Sequence, residues 1–471
     1  MKASTAKNNC FVIPVCSDFL LYAPLSKLSA LINRAAAREL KEQFAIPSRN
    51  TGNNKSEIST VALDIIDNNT RAPRKNTGSL NPKFLGIIPT RSCNASCLYC
   101  DFGSEGGKTV RMPYRLAAGA VDWYAGLMET RKQKILEIHF FGGEPMMARD
   151  VIEVALHRAR LLAHEKQMIT IFEISTNGQY KASDAKFIGE YFNKVILSLD
   201  GFREIQDKHR PLKASTDSFE NSFETAKILS DSDATLCIRC CVSHLNISMM
   251  EEYTGWLCRN FRLSAINFET LSASGKSASA RLYPPDPVEF AINFYKSRQI
   301  ASRYGVDVVF SSDITSNPTI SSCPVGTDTA IISPDGRISS CYLMPGRWQE
   351  AGLDLDFGFL GKDGKARLDK VKIDSIRGIV EDKPRCVSCF CRWNCAGGCH
   401  VGNTYPGSGL QVSSYCIQTR IISALGLLSR LEANDRIGKL LRSREALERI
   451  GNTMSFLIQD MDRRLIPINN Q

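Results

Sequence analysis

Phe84-Leu-Gly-Ile-Ile-Pro-Thr-Arg-Ser-Cys-Asn-Ala-Ser-Cys-Leu-Tyr-Cys100 joins a short apolar run to three cysteines spaced C-x3-C-x2-C. Residues 84–88 read as a strand, and the loop that follows carries Cys93, Cys97 and Cys100. Three thiolates on one tight loop can hold three irons of a [4Fe–4S] cube, because cysteine thiolate is the usual ligand of such clusters. No fourth cysteine stands on this loop, which leaves one iron open to a small chelating molecule. A structural zinc site would want four protein ligands and no open position. Half of such a zinc site is the alternative that the three cysteines alone leave standing.

Working outward, His139-Phe-Phe-Gly-Gly-Glu-Pro145 follows the next apolar run, 135–141. Gly142 and Gly143 let a backbone come close to a ligand, and Glu144 offers a carboxylate to an ammonium group. Taken alone, Gly-Gly-Glu-Pro is also an ordinary turn. Further strand-like runs cover 169–175, 194–199, 235–242 and 265–269, with helical patterns at 147–164, 183–192, 219–230 and 248–261. Alternating strands and helices imply an α/β fold with a parallel sheet. The polar or glycine-rich segments 93–100, 142–145, 176–178 and 198–201 come just after strands. In a β/α barrel the strand C-termini form the chemical face, so these segments are expected to converge. Cys237, Arg239 and Cys241 alternate on one strand, and a face pointing into the barrel would make them line a substrate cavity.

The pairing of C-x3-C-x2-C with Gly-Gly-Glu-Pro resembles the radical S-adenosylmethionine (SAM) enzymes. The resemblance implies a partial (β/α)6 TIM-like barrel, matching the six strands read above. It implies that SAM chelates the open iron through its amino and carboxylate groups. Gly142, Gly143, Glu144 and Pro145 would contact the SAM amino group, Tyr99 would lie near the adenine, and Ser198 and Arg210 would make polar contacts. Reductive cleavage of SAM would give a 5′-deoxyadenosyl radical that abstracts a substrate hydrogen. No residue is assigned as catalytic acid or base.

Downstream, Cys323 is followed after twelve residues by Gly336 and after four more by Cys341. Then come Cys386-x2-Cys389-x5-Cys395-x3-Cys399, and finally Cys416. This order resembles a SPASM domain, a C-terminal cysteine-rich iron–sulfur domain with two auxiliary clusters. The resemblance implies a distal cluster on Cys386, Cys389, Cys395 and Cys416. A nearer one would sit on Cys323, Cys341 and Cys399. With the SAM-binding cluster the total is three, each expected as [4Fe–4S]. The nearer set lacks a fourth cysteine, so its cluster is expected to have an open iron or another ligand. Cys391 is a candidate for that ligand or a bystander.

The chain has 471 residues, enough for two or three domains. The expected divisions are 1–80, 81–310, 311–420 and 421–471. The polar N-terminus predicts no signal peptide and no apolar run approaches a membrane span. A reducing cytoplasmic setting makes metal binding the better reading of seventeen cysteines. The net charge of +10 comes without a basic stripe or nucleic-acid motif, so neither nucleic acid nor membrane is expected as a partner. Residues 11–15 and 19–23 read as a hairpin, with Asn33 capping a helix over 34–44. A polar segment at 47–55, a second apolar repeat at 57–67 and a linker at 68–82 follow. Hairpin then helices resembles the small winged-helix α+β domain that binds leader peptides, as in the chaperone of pyrroloquinoline quinone biosynthesis. Residues 20–23 are the expected strand edge for such a peptide, and a packing extension of the barrel is the alternative. After Cys416 the apolar spacing predicts two or three helices capping the rest.

These readings lead to a radical SAM/SPASM maturase that oxidatively modifies a ribosomally made peptide or protein, by a thioether or carbon–carbon crosslink or a related oxidation. The expected partners are a precursor peptide and a low-potential donor such as flavodoxin or ferredoxin. The alternatives are formylglycine formation of the sulfatase-maturase kind and a non-catalytic zinc or iron–sulfur scaffold.

Overall fold

The computed structural model describes residues 8–45, 57–68, 72–100, 102, 111–215, 217–312, 317–321, 323–379, 381, 383–402, 413–453 and 455–463. The expected polar segment at 47–55 lies outside them. The strands in chain order are β1 (Phe11–Val15), β2 (Asp18–Ala23), β3 (Leu28–Ile32), β4 (Leu85–Ile87), β5 (Ile135–Phe140), β6 (Ile169–Thr176) and β7 (Lys194–Ser198). They continue with β8 (Thr235–Val242), β9 (Ala265–Thr270), β10 (Asp307–Val309), β11 (Ala330–Ile332), β12 (Arg337–Ser339), β13 (Asp356–Leu360) and β14 (Ala366–Leu368).

The main sheet runs β10-β9-β8-β7-β6-β5-β4-β11-β12-β13-β14. Strands β4 to β10 pair in parallel, as do β4 and β11; β11 to β14 pair antiparallel. The six expected strands are all present and parallel. The ladder ends at β10 and β14 and does not close on itself, which makes the barrel partial.

Alternation along each strand sets the two faces. On β8, Leu236, Ile238, Cys240 and Val242 are buried under the helices, while Arg239 is exposed on the opposite face. On β5, Leu136, Ile138 and Phe140 point outward into the core, and Glu137 and His139 inward. Phe140, Phe172 and Phe268 are almost wholly buried in this outer layer, each stabilising by roughly 1.5–3 kcal/mol. The inner face holds a polar floor. His139 stacks on Phe84 and contacts Glu137 and Glu173, and Lys194 pairs with Glu173.

The N-terminal unit differs from the hairpin reading. It is a three-stranded antiparallel sheet, β1-β2-β3, followed by helices Arg34–Ala45 and Glu57–Asp67. Asn33 accepts the Ala36 N–H at 2.9 Å, the expected cap. Residues 20–23 belong to the central strand, hydrogen-bonded on both sides, so they are not the edge that the sequence suggested. The unread strand β3 is the outer one. One face of this sheet (Val12, Phe19, Leu21) packs on the two helices. The other (Phe11, Ile13, Leu20) joins the main core. Trp393 Nε1 donates to Asn9, Asn394 to the Tyr22 hydroxyl at 2.9 Å, and Arg436 pairs with Asp18 at 2.7 Å. Among the described residues no helix is long and apolar enough to cross a membrane.

At the C-terminal end, helices Ser414–Arg430, Asn434–Leu441 and Arg444–Asn452 cover the cysteine-rich region. The first carries Cys416 and runs through residue 420 without a break.

Candidate functional site

Cys93, Cys97 and Cys100 sit on the loop after β4, gripped from two sides. On one side, the loop after β5 binds it: Gly143 N–H donates to Thr90 O at 3.1 Å and Glu144 N–H to Ser92 O at 2.8 Å. A Cβ on Gly143 would stand 2.1 Å from Ser92 O, and one on Gly142, at φ +151°, 2.5 Å from Thr90 O. The two glycines are therefore required by the cysteine loop itself, a neighbour the ligand-approach reading of the sequence did not anticipate. On the other side, Ser96 N–H donates to Pro211 O and Leu98 N–H to His209 O.

The thiols meet donors. Cys93 Sγ lies 3.4 Å from Ala95 N and 3.6 Å from Asn177 Nδ2, and Cys97 Sγ lies 4.0 Å from an Arg210 guanidinium nitrogen. Burial pushes the Cys93 thiol up to about 11 and the Cys100 thiol up to about 12. Three thiols on one loop, within electrostatic reach of one another and with cationic and N–H donors behind them, fit the donor set of an iron–sulfur cluster, whose assembly would displace their protons.

Glu144 is buried, and burial pushes its carboxyl up to about 7. Three donors hold it: Met146 N at 3.1 Å and Thr176 Oγ1 at 2.8 Å on Oε1, and Asn177 N at 2.7 Å on Oε2. Pro145 starts the short 3-10 helix Pro145–Ala148 that Glu144 caps.

Asp200 organises the opposite wall and was not singled out from the sequence. Fully buried, it accepts from the Tyr99 hydroxyl at 2.5 Å, Arg210 Nε at 2.9 Å and Cys241 N at 2.9 Å, with His209 Nδ1 at 3.3 Å. Burial alone would raise its carboxyl, but Arg210 and His209 hold it well below the usual carboxylate range. Arg210 lies over the Tyr99 ring at 5.4 Å. Tyr99 and Arg210 are thus one unit fixed under the cysteine loop, while Ser198 ends β7 nearby, half-buried and opposite Arg239 in register. The signal in the sequence was an aspartate in a tight strand-end turn, Ser198-Leu-Asp-Gly201.

Farther along, Cys323, Cys341 and Cys399 lie within electrostatic reach of one another. Cys386, Cys389, Cys395 and Cys416 line one pocket together with Cys391 and Arg420. Cys391 hydrogen-bonds Cys389, and that contact with Arg420 lowers the Cys389 thiol. Cys391 therefore belongs beside the distal set and is not placed to complete the nearer one. Between the barrel and the nearer set lies a cavity of ≈ 450 Å³ whose wall includes Arg239, Glu269, Cys323, Cys399, Tyr415 and Gln418.

Residues 87–257 match the family model of the radical SAM superfamily. The matched stretch is similar to the domain of an oxidoreductase-type superfamily whose members use SAM and a [4Fe–4S] cluster. Cys93, Cys97 and Cys100 lie inside the matched segment. Among curated relatives, an uncharacterized protein of Methanocaldococcus jannaschii is 24% identical over 292 residues, 62% of this chain and 93% of the relative. The radical SAM cyclopropyl synthase TigE of Paramaledivibacter caminithermalis is 24% identical over 199 residues, 39% of this chain and 40% of the relative. The Fe-coproporphyrin III synthase of Methanosarcina barkeri is 31% identical over 144 residues, 27% and 30%. The solved structure of native anSMEcpe with bound AdoMet superposes with a TM-score of 0.55 at 19% identity, covering 76% of this chain and 99% of that one. That likeness shows a common fold over a larger share of the chain than the matched segment.

Proposed function

We propose that this chain is a radical SAM/SPASM enzyme that oxidatively modifies a ribosomally made peptide or protein. The observation that carries the reading is the ≈ 450 Å³ cavity, which runs from the inner face of β8 and β9 to Cys323 and Cys399. A side chain entering it would stand between the SAM-binding wall and the nearer auxiliary cluster. Such an arrangement suits hydrogen abstraction on one side and electron removal on the other. The bound cluster and SAM would supply the 5′-deoxyadenosyl radical. The chain's own part is positioning. Cys93, Cys97 and Cys100 would hold the radical cluster. Glu144 would take the SAM amino group, with Gly142, Gly143 and Pro145 shaping that loop. Tyr99, Ser198 and Arg210 would line the nucleoside and carboxylate. Cys323, Cys341 and Cys399 would hold one auxiliary cluster, and Cys386, Cys389, Cys395 and Cys416 the other. A peptide substrate draws support from the solved complex of anSMEcpe with AdoMet and Kp18Cys peptide, TM-score 0.56. Flavodoxin or ferredoxin would supply the electron.

The N-terminal sheet would receive a leader segment. Among the described residues β3 pairs only with β2, so its outer edge can accept an added strand. Helix Arg34–Ala45 follows directly.

The test is anaerobic reconstitution with iron, sulfide, SAM and a chemical reductant. The parent protein is expected to release 5′-deoxyadenosine. The triple variant Cys93→Ala, Cys97→Ala, Cys100→Ala should release none while keeping roughly two thirds of the iron, one of three cysteine-ligated clusters being lost. Product from the triple variant, or iron that vanishes altogether, refutes the assignment. Leader binding is read separately, as slowed amide exchange confined to residues 28–32.

A further inference from the structure

The cavity beside the nearer cysteine set contains an unanswered charge. Arg239 is exposed on the inner face of β8 and lines the cavity. Among the described residues its guanidinium makes no hydrogen bond and no ion pair. No other cation lines this wall among the described residues. Glu269 is an acidic group within electrostatic reach of Arg239. Arg239 pairs in register with Asn267 and Cys241 with Glu269, so the two charges are offset diagonally on one sheet face. Glu269 is also engaged elsewhere, its Oε1 accepting from the Ser311 N–H at 3.0 Å and from the Ser311 hydroxyl. Burial raises the Glu269 carboxyl, while Arg239 and the Ser311 hydrogen bonds lower it. Thr270, Ser272, Ser414 and Gln418 add neutral hydrogen-bonding groups to the wall.

An exposed guanidinium on a cavity wall, held by no partner of its own, is available to a ligand entering the cavity. Its planar fork matches a carboxylate, which it can bind through two parallel N–H bonds. We propose that Arg239 anchors a carboxylate of the substrate in this cavity, so that the peptide presents an Asp or Glu side chain, or its C-terminal carboxylate, next to the modified position. This rests on the peptide-modifying reading and narrows its substrate class.

The experiment uses the full chain, reconstituted and saturated with SAM, and three probe peptides in calorimetry. These are N-acetyl-Gly-Glu-Gly-amide, N-acetyl-Gly-Gln-Gly-amide and N-acetyl-Gly-Gln-Gly with a free C-terminus. At least one acidic peptide should bind about ten- to hundredfold tighter than the neutral amide, the usual reach of a charge-assisted hydrogen-bonded pair. Which acidic peptide wins distinguishes the side chain from the C-terminus as the source of the carboxylate. Arg239→Met should erase the preference and Arg239→Lys should keep part of it, with iron content and circular dichroism serving as checks on folding. Equal binding of all three peptides, absence of binding by both acidic ones, or an undiminished preference in Arg239→Met overturns the proposal. So does a loss of SAM affinity in Arg239→Met with peptide binding unchanged, because the guanidinium would then serve SAM's own carboxylate. Failure of the parent to form 5′-deoxyadenosine would count against the radical chemistry alone, since the peptide preference is read without turnover.

Discussion

Replacing Asp200 by Asn keeps the shape of the side chain and removes its charge. Asp200 is fully buried and is the one carboxylate, among the described residues, that pairs with Arg210. The guanidinium of Arg210 is itself largely shielded, its side chain 13% exposed. Removing one partner of a buried pair leaves the other charge uncompensated and costs about 3–5 kcal/mol. The residual exposure of Arg210 argues for the lower part of that range. The pH dependence has a definite sign. Asp200 is held below its unfolded value, so its contribution is fully present above about pH 4, the ordinary carboxylate range, and is lost as acid carries it down through the native value. Urea unfolding, followed by tryptophan fluorescence at several pH values, should show a parent-minus-variant gap of about 3 kcal/mol that is flat from neutrality to about pH 4 and closes below. A gap under about 1 kcal/mol, within reach of an exposed pair, would refute the reasoning, as would one that widens with acid. SAM affinity should fall with it, because Tyr99 and Arg210 lose their common anchor.

Gly143→Ala should displace the cysteine loop, since the added methyl would stand 2.1 Å from Ser92 O; reconstitution is expected to return about one cluster fewer than the parent, read by iron and sulfide analysis. Glu144 bears on pH in the opposite sense to Asp200. Its native carboxyl is pushed up to about 7, so the stability its neutral form contributes is full below about pH 4 and is lost as pH rises through 7. Glu144→Gln should flatten that decline, which amounts to about 3 kcal/mol at most, in cluster-free protein unfolded by urea between pH 4 and 8.

The parallel core was legible because its strands are long and bounded by glycine-rich turns. Periodicity exposes β5 to β9, and the cysteine and glycine motifs mark where their ends meet. What escaped was short or charged. β10 and β11 have three residues each, too few for alternation to register. Leu28-Ser-Ala-Leu-Ile32 lacks a clean two-residue pattern, and its omission put the free edge on the wrong strand. Asp200 was quoted only within its segment, and Arg239 was named as a cavity-lining residue without a partner, because their roles depend on groups brought near by the fold. Arg210 stands ten residues from Asp200 in sequence, while Arg239 is defined by a cavity wall drawn from seven separate stretches of chain. Cys391 was ambiguous for the same reason. Spacing alone does not say which cysteine set an eighth thiol will face, and its bond to Cys389 does.

The docking of β1 has a consequence for how the chain is made. Val12 N–H donates to Phe456 O at 2.8 Å, Ile458 N–H donates to Cys10 O at 3.0 Å, and Phe11 bridges to Leu457. During synthesis β1 thus waits for Phe456 to Ile458, far downstream, before its outer edge is satisfied. Contacts of such sequence separation form slowly, and until then the strand offers an apolar edge to any other nascent chain. Heterologous production should therefore be sensitive to translation rate and to chaperone supply. Removing Phe456 to Ile458 should unsettle β1 before it disturbs the barrel.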